Sequence, residues 1–212
     1  MVTSDDGSDN VFNISEDLVQ SPVHKAAGTS SLDFDGLLST PLKLHEDLSG
    51  GCGGQLWPAG MVLSKYMLRN HRDNLQDRSM LAVALGCEVT RPLLITDQKP
   101  MLDLMKRNVT LNNLHGTVEA AILDWGDAIS SRIPQHPDVI LAADCVYFEP
   151  AFPLLHQTLQ DLIGDNTTCY FCFKKRRRAD LHFMKAVRKT FDVREVEDDP
   201  DRDVYARENI FL

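Results

Sequence analysis

The larger, carboxyl-terminal part of the chain alternates between short apolar runs and longer segments of helical periodicity. Residues 93–96, 118–123 and 139–143 form aliphatic and β-branched runs of the length of buried strands. Residues 99–113 and 152–163 carry apolar side chains at helical spacing between or after these runs. Alternation of this kind is typical of a parallel sheet covered by helices. We therefore predict a doubly wound α/β fold.

Weaker patterns complete this prediction. A helix is expected from Pro58 to about residue 69, because proline suits the first turn of a helix. Residues 1–40 are rich in Ser, Asp and Gly, which predicts a largely disordered leader before a domain over residues 41–212. The remaining predicted elements are edge strands at 11–14 and 42–45, a strand at 167–173, a helix at 180–190, and final strands at 193–196 and 209–212.

Composition limits the possible partners and the compartment. The net charge of −9 argues against nucleic acid, whose phosphates are bound by clustered Lys and Arg. The five cysteines form no disulfide framework, and the acidic start has none of the positive charge of a secretory signal. No run is long enough to span a bilayer. We expect a cytoplasmic monomer that binds a protein or a small molecule, but no membrane.

Acidic residues stand where three of the predicted strands end. Asp97, Asp124 and Asp144 each follow an apolar run, and ligands of open α/β sheets bind beyond the carboxyl ends of the strands. Asp97 is placed to accept hydrogen bonds from a ribose diol. Aspartate also terminates strands by bonding its own backbone, and for any one residue this alternative is about equally favoured. Recurrence at one edge of the sheet favours a ligand site.

The most specific signal is the motif Asp144-Cys145-Val146-Tyr147. A carboxylate at a strand end and an aromatic hydroxyl in the next loop can hold a target ammonium group and prepare it to act as a nucleophile. The alternative is an aspartate that caps the strand and a tyrosine that packs in the core.

Residues 42–212 resemble the seven-strand, Rossmann-like protein-lysine methyltransferases. The resemblance rests on the motifs above, on residues 54–59 (Gly-Gln-Leu-Trp-Pro-Ala) and on the helix with Asn108 and Asn112. This resemblance implies S-adenosylmethionine as cofactor, and within the family the chain is most similar to the fungal enzymes that modify translation elongation factor 1-alpha. It also implies roles for six residues, in which Trp57 packs on the cofactor, Asp97 binds the ribose, Asp124 and Trp125 flank the adenine, and Asp144 with Tyr147 faces the cofactor and the lysine.

The chain departs from the family pattern at the glycine-rich turn that should hold the methionine end of the cofactor. Gly86 is the only glycine between Tyr66 and Asp97, and residues 81–85 have the pattern of a helix that ends there. A first strand, its turn and a helical start, about 15 residues, are predicted to be missing between Met80 and Leu81. A misassembled gene, a truncated isoform or a non-catalytic binding module would each explain this, and the clean edges of the gap favour the first two.

Four other patterns give weaker signals. Cys169 and Cys172 have C-x-x-C spacing, but residues three apart in a strand point to opposite faces and cannot share a metal. The basic run 174–178 predicts a solvated loop at the substrate rim, with nucleic-acid contact or a nuclear-localisation signal as the alternatives. The acidic run 197–201 is read either as a contact for a basic protein or as a solvated turn. The glycine run 50–54 is interpreted as a flexible approach to Trp57 rather than a phosphate cradle.

Overall fold

A computed structural model describes residues 26–72, 80–81 and 93–212. Its strands are β1 (Gly28–Leu32), β2 (Leu42–Glu46), β3 (Met80–Leu81), β4 (Leu93–Asp97), β5 (Val118–Ile122), β6 (Val139–Ala143), β7 (Thr168–Lys174) and β8 (Ile210–Phe211). Its α-helices are α1 (Pro58–Asn70), α2 (Leu102–Leu111), α3 (Phe152–Leu162), α4 (Arg178–Thr190) and α5 (Arg202–Arg207). The predicted α/β class is confirmed, and most predicted elements lie within two or three residues of their observed bounds.

The main sheet has six strands in the order β5-β4-β3-β6-β7-β8. Strands β3 to β7 pair in parallel, and β8 pairs antiparallel with the end of β7. The chain builds outward from β3 in both directions, so the strand order reverses at the centre of the sheet. Ligands of open α/β sheets bind at such a reversal, beyond the carboxyl ends of the strands.

Alternate side chains of the central strands enter cores on opposite faces of the sheet, as the period of two in a strand requires. Leu93 and Ile95 join the cluster that also holds Leu63 and Met67 of α1, whereas Leu94 joins a cluster on the opposite face. A third cluster, on that opposite face, contains residues of α3 and α4. The sheet is thus covered on both faces, which explains why β4 and β6 read as continuous apolar runs.

The middle of the sheet differs from the prediction of a missing strand. Met80 pairs with both Leu93 and Val139 through the backbone, and the next residue, Leu81, continues both ladders. The central position therefore holds a two-residue strand, and the absence of a first strand is not confirmed. The predicted helix at 81–85 is wrong at its first residue, and residues 82–92 lie outside the described part. A strand forms here because the N–H and C=O groups of β4 and β6 that face each other across the sheet need hydrogen-bond partners.

A second, two-stranded sheet is formed by β1 and β2, which pair antiparallel from Gly28 opposite Glu46 to Leu32 opposite Leu42. This ladder confirms the predicted strand at 42–45 and begins inside residues 1–40, where we predict a disordered leader. The predicted strand at 11–14 lies outside the described residues.

Two asparagines, Asn108 in α2 and Asn112 directly after it, hydrogen-bond to the edge of β2 that faces away from β1. Asn108 accepts a hydrogen bond from His45 N–H (2.7 Å) and donates one to its carbonyl oxygen (3.0 Å), and Asn112 does the same for Lys43 (2.8 and 2.7 Å). Four residues of helix rise about 6 Å and two residues of strand about 6.6 Å, so the two spacings match. The asparagines quoted for the family resemblance thus attach the small sheet to the main domain.

The carboxyl-terminal segment is mostly irregular. Residues 193–196 form no strand, so that prediction is wrong, and Val196 N–H makes a single ladder-like bond to the Leu212 carbonyl oxygen (3.1 Å). The acidic run 197–201 leads into α5 and is fixed by Arg69, which contacts Asp199 at 3.1 Å and a second aspartate of the run at 2.6 Å. Across the described ranges, no helix is both long and apolar enough to cross a bilayer.

Candidate functional site

The three strand-end acids lie along one edge of the main sheet. Asp97 is the last residue of β4, Asp124 comes two residues after β5, and Asp144 directly follows β6. Leu123 N–H donates to the Asp97 carbonyl oxygen (3.0 Å), which extends the β4–β5 ladder to the edge. Burial is the main cause of a raised pKa at Asp97, and the negative charge of Asp124 adds to it.

Asp97 is a half-buried carboxylate. Burial raises its pKa above the usual range, and the hydrogen bond that Oδ1 accepts from Gln98 N–H (2.7 Å) acts in the opposite direction. A β-carbon at Gly53 would lie 2.9 Å from Oδ2, so the backbone of that glycine packs against the acid. Asp97 therefore stands in a confined polar position that suits an acceptor for hydroxyl groups.

The turn at Cys52–Gly54 connects several of the predicted site residues. Trp57 Nε1 donates to the Cys52 carbonyl oxygen (2.8 Å), and the phenol of Tyr147 lies close to the Cys52 thiol. Burial raises the pKa of Tyr147, so its phenol stays neutral. A β-carbon at Gly54 would lie 1.7 Å from the carbonyl oxygen of Asp47. The glycine run is thus a tight, specific turn, and our prediction of a flexible approach is wrong.

Asp144 joins three elements. Its Oδ2 accepts a hydrogen bond from Ala59 N–H (2.9 Å) at the start of α1, and Oδ1 accepts a weaker one from Lys174 N–H (3.3 Å) at the end of β7. Its backbone is left-handed, with φ of 52°, a conformation that aspartate tolerates better than most residues. Both oxygens thus accept from backbone amides of α1 and β7 rather than from the β6 strand itself, and the carboxylate also faces a cation.

That cation is Arg176. Its Nη1 lies 3.1 Å from Asp144 Oδ1, and its guanidinium carbon lies 5.7 Å from the centre of the Trp57 ring. The neighbouring Arg177 donates through Nη2 to the carbonyl oxygen of Tyr147. The basic run spans the connection between β7 and α4, as predicted, and two of its residues contact the motif 144–147.

The loop that carries these arginines is held by Asp180. This carboxylate is fully buried and accepts hydrogen bonds from the backbone N–H groups of Arg176 (2.7 Å) and Arg177 (2.8 Å), at the third residue of α4. Such a carboxylate satisfies amide groups at a helix start and complements the helix dipole. Asp180 was not singled out from the sequence, although an acid in the first turn of a helix is a recognisable capping signal.

Trp125 follows Asp124 in the loop after β5. It is half-buried and packs against the cluster that contains Val146 and Phe152, and the next amide, Gly126 N–H, donates to Thr158 Oγ1 (2.9 Å). The structure therefore links Trp57, Asp97, Tyr147 and Asp144 through a chain of contacts. Asp124 joins them through its charge, whereas Trp125 is anchored in the core below the loop.

Sequence reasoning missed Cys52 and the individual role of Arg176. Nothing local marks the cysteine, because its partner Tyr147 is far away in the chain. The arginine was visible only as one of five consecutive basic residues. In the described ranges, no group of three His, Cys, Asp or Glu residues is arranged to hold a metal ion. Cys172 and Cys169 pack in clusters on opposite faces of the sheet, as predicted.

The described residues fit one half of the cofactor that the resemblance implies. Asp97 and Asp124 offer acceptors for the hydroxyls and polar edge of an adenosine, whereas the Trp57 ring, expected to pack on the cofactor, lies against the Arg176 guanidinium at 5.7 Å. The methionine half needs bare backbone amides beyond the central strand, and the sequence after Leu81 offers Ala82-Val83-Ala84-Leu85 without a glycine. Residues 82–92 lie outside the described part, so the described residues test the fit of the adenosine half only.

Comparisons with known proteins agree with this architecture. The protein-lysine N-methyltransferase EFM6 of Saccharomyces cerevisiae is 32% identical over 239 residues, covering 96% of this chain and 97% of the relative. The protein N-lysine methyltransferase METTL21A of Danio rerio is 30% identical (83% and 85% covered), and the EEF1A lysine methyltransferase 3 of Xenopus tropicalis is 26% identical (68% and 67%). Residues 37–190 match the family described as "Lysine methyltransferase". The chain belongs to this lysine methyltransferase family.

Proposed function

We propose that the protein transfers a methyl group from S-adenosylmethionine to a lysine of translation elongation factor 1-alpha, as a cytoplasmic monomer with the Rossmann-like methyltransferase fold. Membership of the lysine methyltransferase family supports the reaction. The name of the Xenopus relative supports the substrate. The structural observation that carries the proposal is the pairing of Asp144 with a cation beside the Trp57 ring.

The residues of this site account for substrate binding. The 5% exposed carboxylate of Asp144 attracts an ammonium group, and the Trp57 face stabilises the cation. Tyr147, kept neutral by burial, can share a hydrogen bond with the amine without adding charge. Asp97, with Asp124 and Trp125, is proposed to bind the adenosine. S-adenosylmethionine supplies an electrophilic methyl group when bound, and the residues contribute mainly alignment and a partly desolvated slot.

A transfer assay tests this proposal. Tritiated S-adenosylmethionine, the purified chain and unmethylated translation elongation factor 1-alpha are expected to give label on the factor. Asp144→Asn should reduce the rate about 100-fold or more, because it removes the charge that positions the amine. Asp165→Asn, at an exposed aspartate in the turn before β7, is the matched control and should act like the wild type. No label above background with the wild type would refute the proposal.

A second function, a binding module that recognises the same factor without methylating it, is favoured by the missing glycine turn. The alignment with EFM6 runs over more positions than the 212 residues of this chain, which leaves gaps on this side and supports an internal deletion. Isothermal titration with S-adenosylmethionine separates the two. Micromolar binding favours the enzyme, whereas no heat of binding together with complex formation on the factor favours the binding module.

A further inference from the structure

We propose that Arg176 occupies the position of the target lysine, so that substrate binds only by displacing this arginine from Asp144 and Trp57. The inference rests on the proposed function, because it concerns the cation that the same site would hold. It makes Arg176 a residue that controls which side chains enter.

The contacts of Arg176 are those that an alkylammonium ion would need. The guanidinium shares a charged hydrogen bond with the buried Asp144 carboxylate (3.1 Å) and lies over the Trp57 ring at 5.7 Å. A carboxylate and an aromatic face together form a favourable environment for an organic cation. Since a single cation fills both contacts, the arginine and a lysine compete for them.

The backbone and the side chain of Arg176 are held very differently. The amide is fixed by the fully buried Asp180 (2.7 Å), whereas the side chain is 30% exposed. The side chain can therefore rotate into solvent while the loop stays in place. The other contact of its guanidinium, to the Lys174 carbonyl oxygen (3.2 Å), is exposed to solvent, so water readily replaces it.

The exchange also explains selection for a charged side chain. Removing Arg176 alone would leave the 5% exposed carboxylate of Asp144 without a cation, which is unfavourable for a buried charge. An incoming ammonium restores the pair as the arginine leaves. A neutral side chain of the same length restores nothing, so it does not displace the arginine.

The test uses n-butylammonium as a probe for the lysine side chain and needs no cofactor. The chain has two tryptophans, and their indole N–H resonances in the ¹⁵N-labelled full chain are assigned with Trp125→Phe. In Arg176→Ala, the Trp57 resonance should reach half-saturation at roughly fivefold lower butylammonium concentration than in the wild type. Arg176→Lys keeps a cation and should behave like the wild type, and n-butanol should shift neither protein.

Arg178→Ala is the matched control, because it removes an equal charge from an exposed residue two positions away. An unchanged half-saturation in Arg176→Ala, or an equal gain in Arg178→Ala, would overturn the inference. The transfer assay is independent of this titration. If the wild type transfers no methyl group but Arg176→Ala binds butylammonium more tightly, the proposed function is refuted and the competition by Arg176 stands. If the wild type is active but Arg176→Ala binds no more tightly, only the competition is refuted.

Discussion

Replacing Asn108 with alanine removes both hydrogen bonds to the backbone of His45, at 2.7 and 3.0 Å. His45 is 7% exposed, so water cannot easily reach the N–H and carbonyl groups that lose their partner. An unsatisfied buried backbone group costs about 1–3 kcal/mol. The higher helix propensity of alanine offsets about 0.5 kcal/mol. Since two groups lose their partner, we expect the free energy of unfolding to fall by roughly 1.5–5.5 kcal/mol.

Asn112 provides a control within the same structure. It makes the same pair of bonds to Lys43, at 2.8 and 2.7 Å, but Lys43 is exposed and water can replace the amide. Asn112→Ala should therefore cost no more than about 1 kcal/mol. Urea unfolding of the full chain, followed by circular dichroism, measures both differences. Equal losses in the two variants, or a smaller loss in Asn108→Ala, would refute the argument that burial sets the cost.

Two further predictions concern the turn and the acid beside it. Gly54→Ala places a β-carbon 1.7 Å from a backbone carbonyl oxygen and should lower the free energy of unfolding by about 3 kcal/mol or more. In the control Gly28→Ala, the nearest contact would be 3.8 Å, so the free energy of unfolding should change by less than about 0.5 kcal/mol. Similar losses for the two variants in urea unfolding would contradict this. Asp97→Asn should raise the melting temperature at pH 7, because burial raises the pKa of Asp97 and so makes its charged form unfavourable in the folded chain. The gain should shrink towards pH 4 as the wild-type carboxyl takes up its proton, and a melting temperature lowered at pH 7 would contradict the sign.

Much of the fold follows from local pattern. The β6 run 139–143 was predicted with its observed bounds, and α1 begins at the predicted Pro58. Both have strong local signals, namely an unbroken apolar run and a proline suited to a first helical turn. A strand-like composition without a ladder partner misled the prediction. Residues 193–196 have strand-like composition, but one hydrogen bond to Leu212 does not make a strand.

The candidate site also combines features that the sequence predicts with contacts that it does not. The sequence by itself placed Asp97, Asp124 and Asp144 at strand ends, and its motifs determined the family. Only the tertiary structure decided what these residues contact: Ala59 bonds Asp144 across 85 positions of the chain, and Arg176 reaches it across 32. Periodicity reports which face a residue occupies within its own element, whereas such contacts depend on how separate elements pack, which no local pattern encodes.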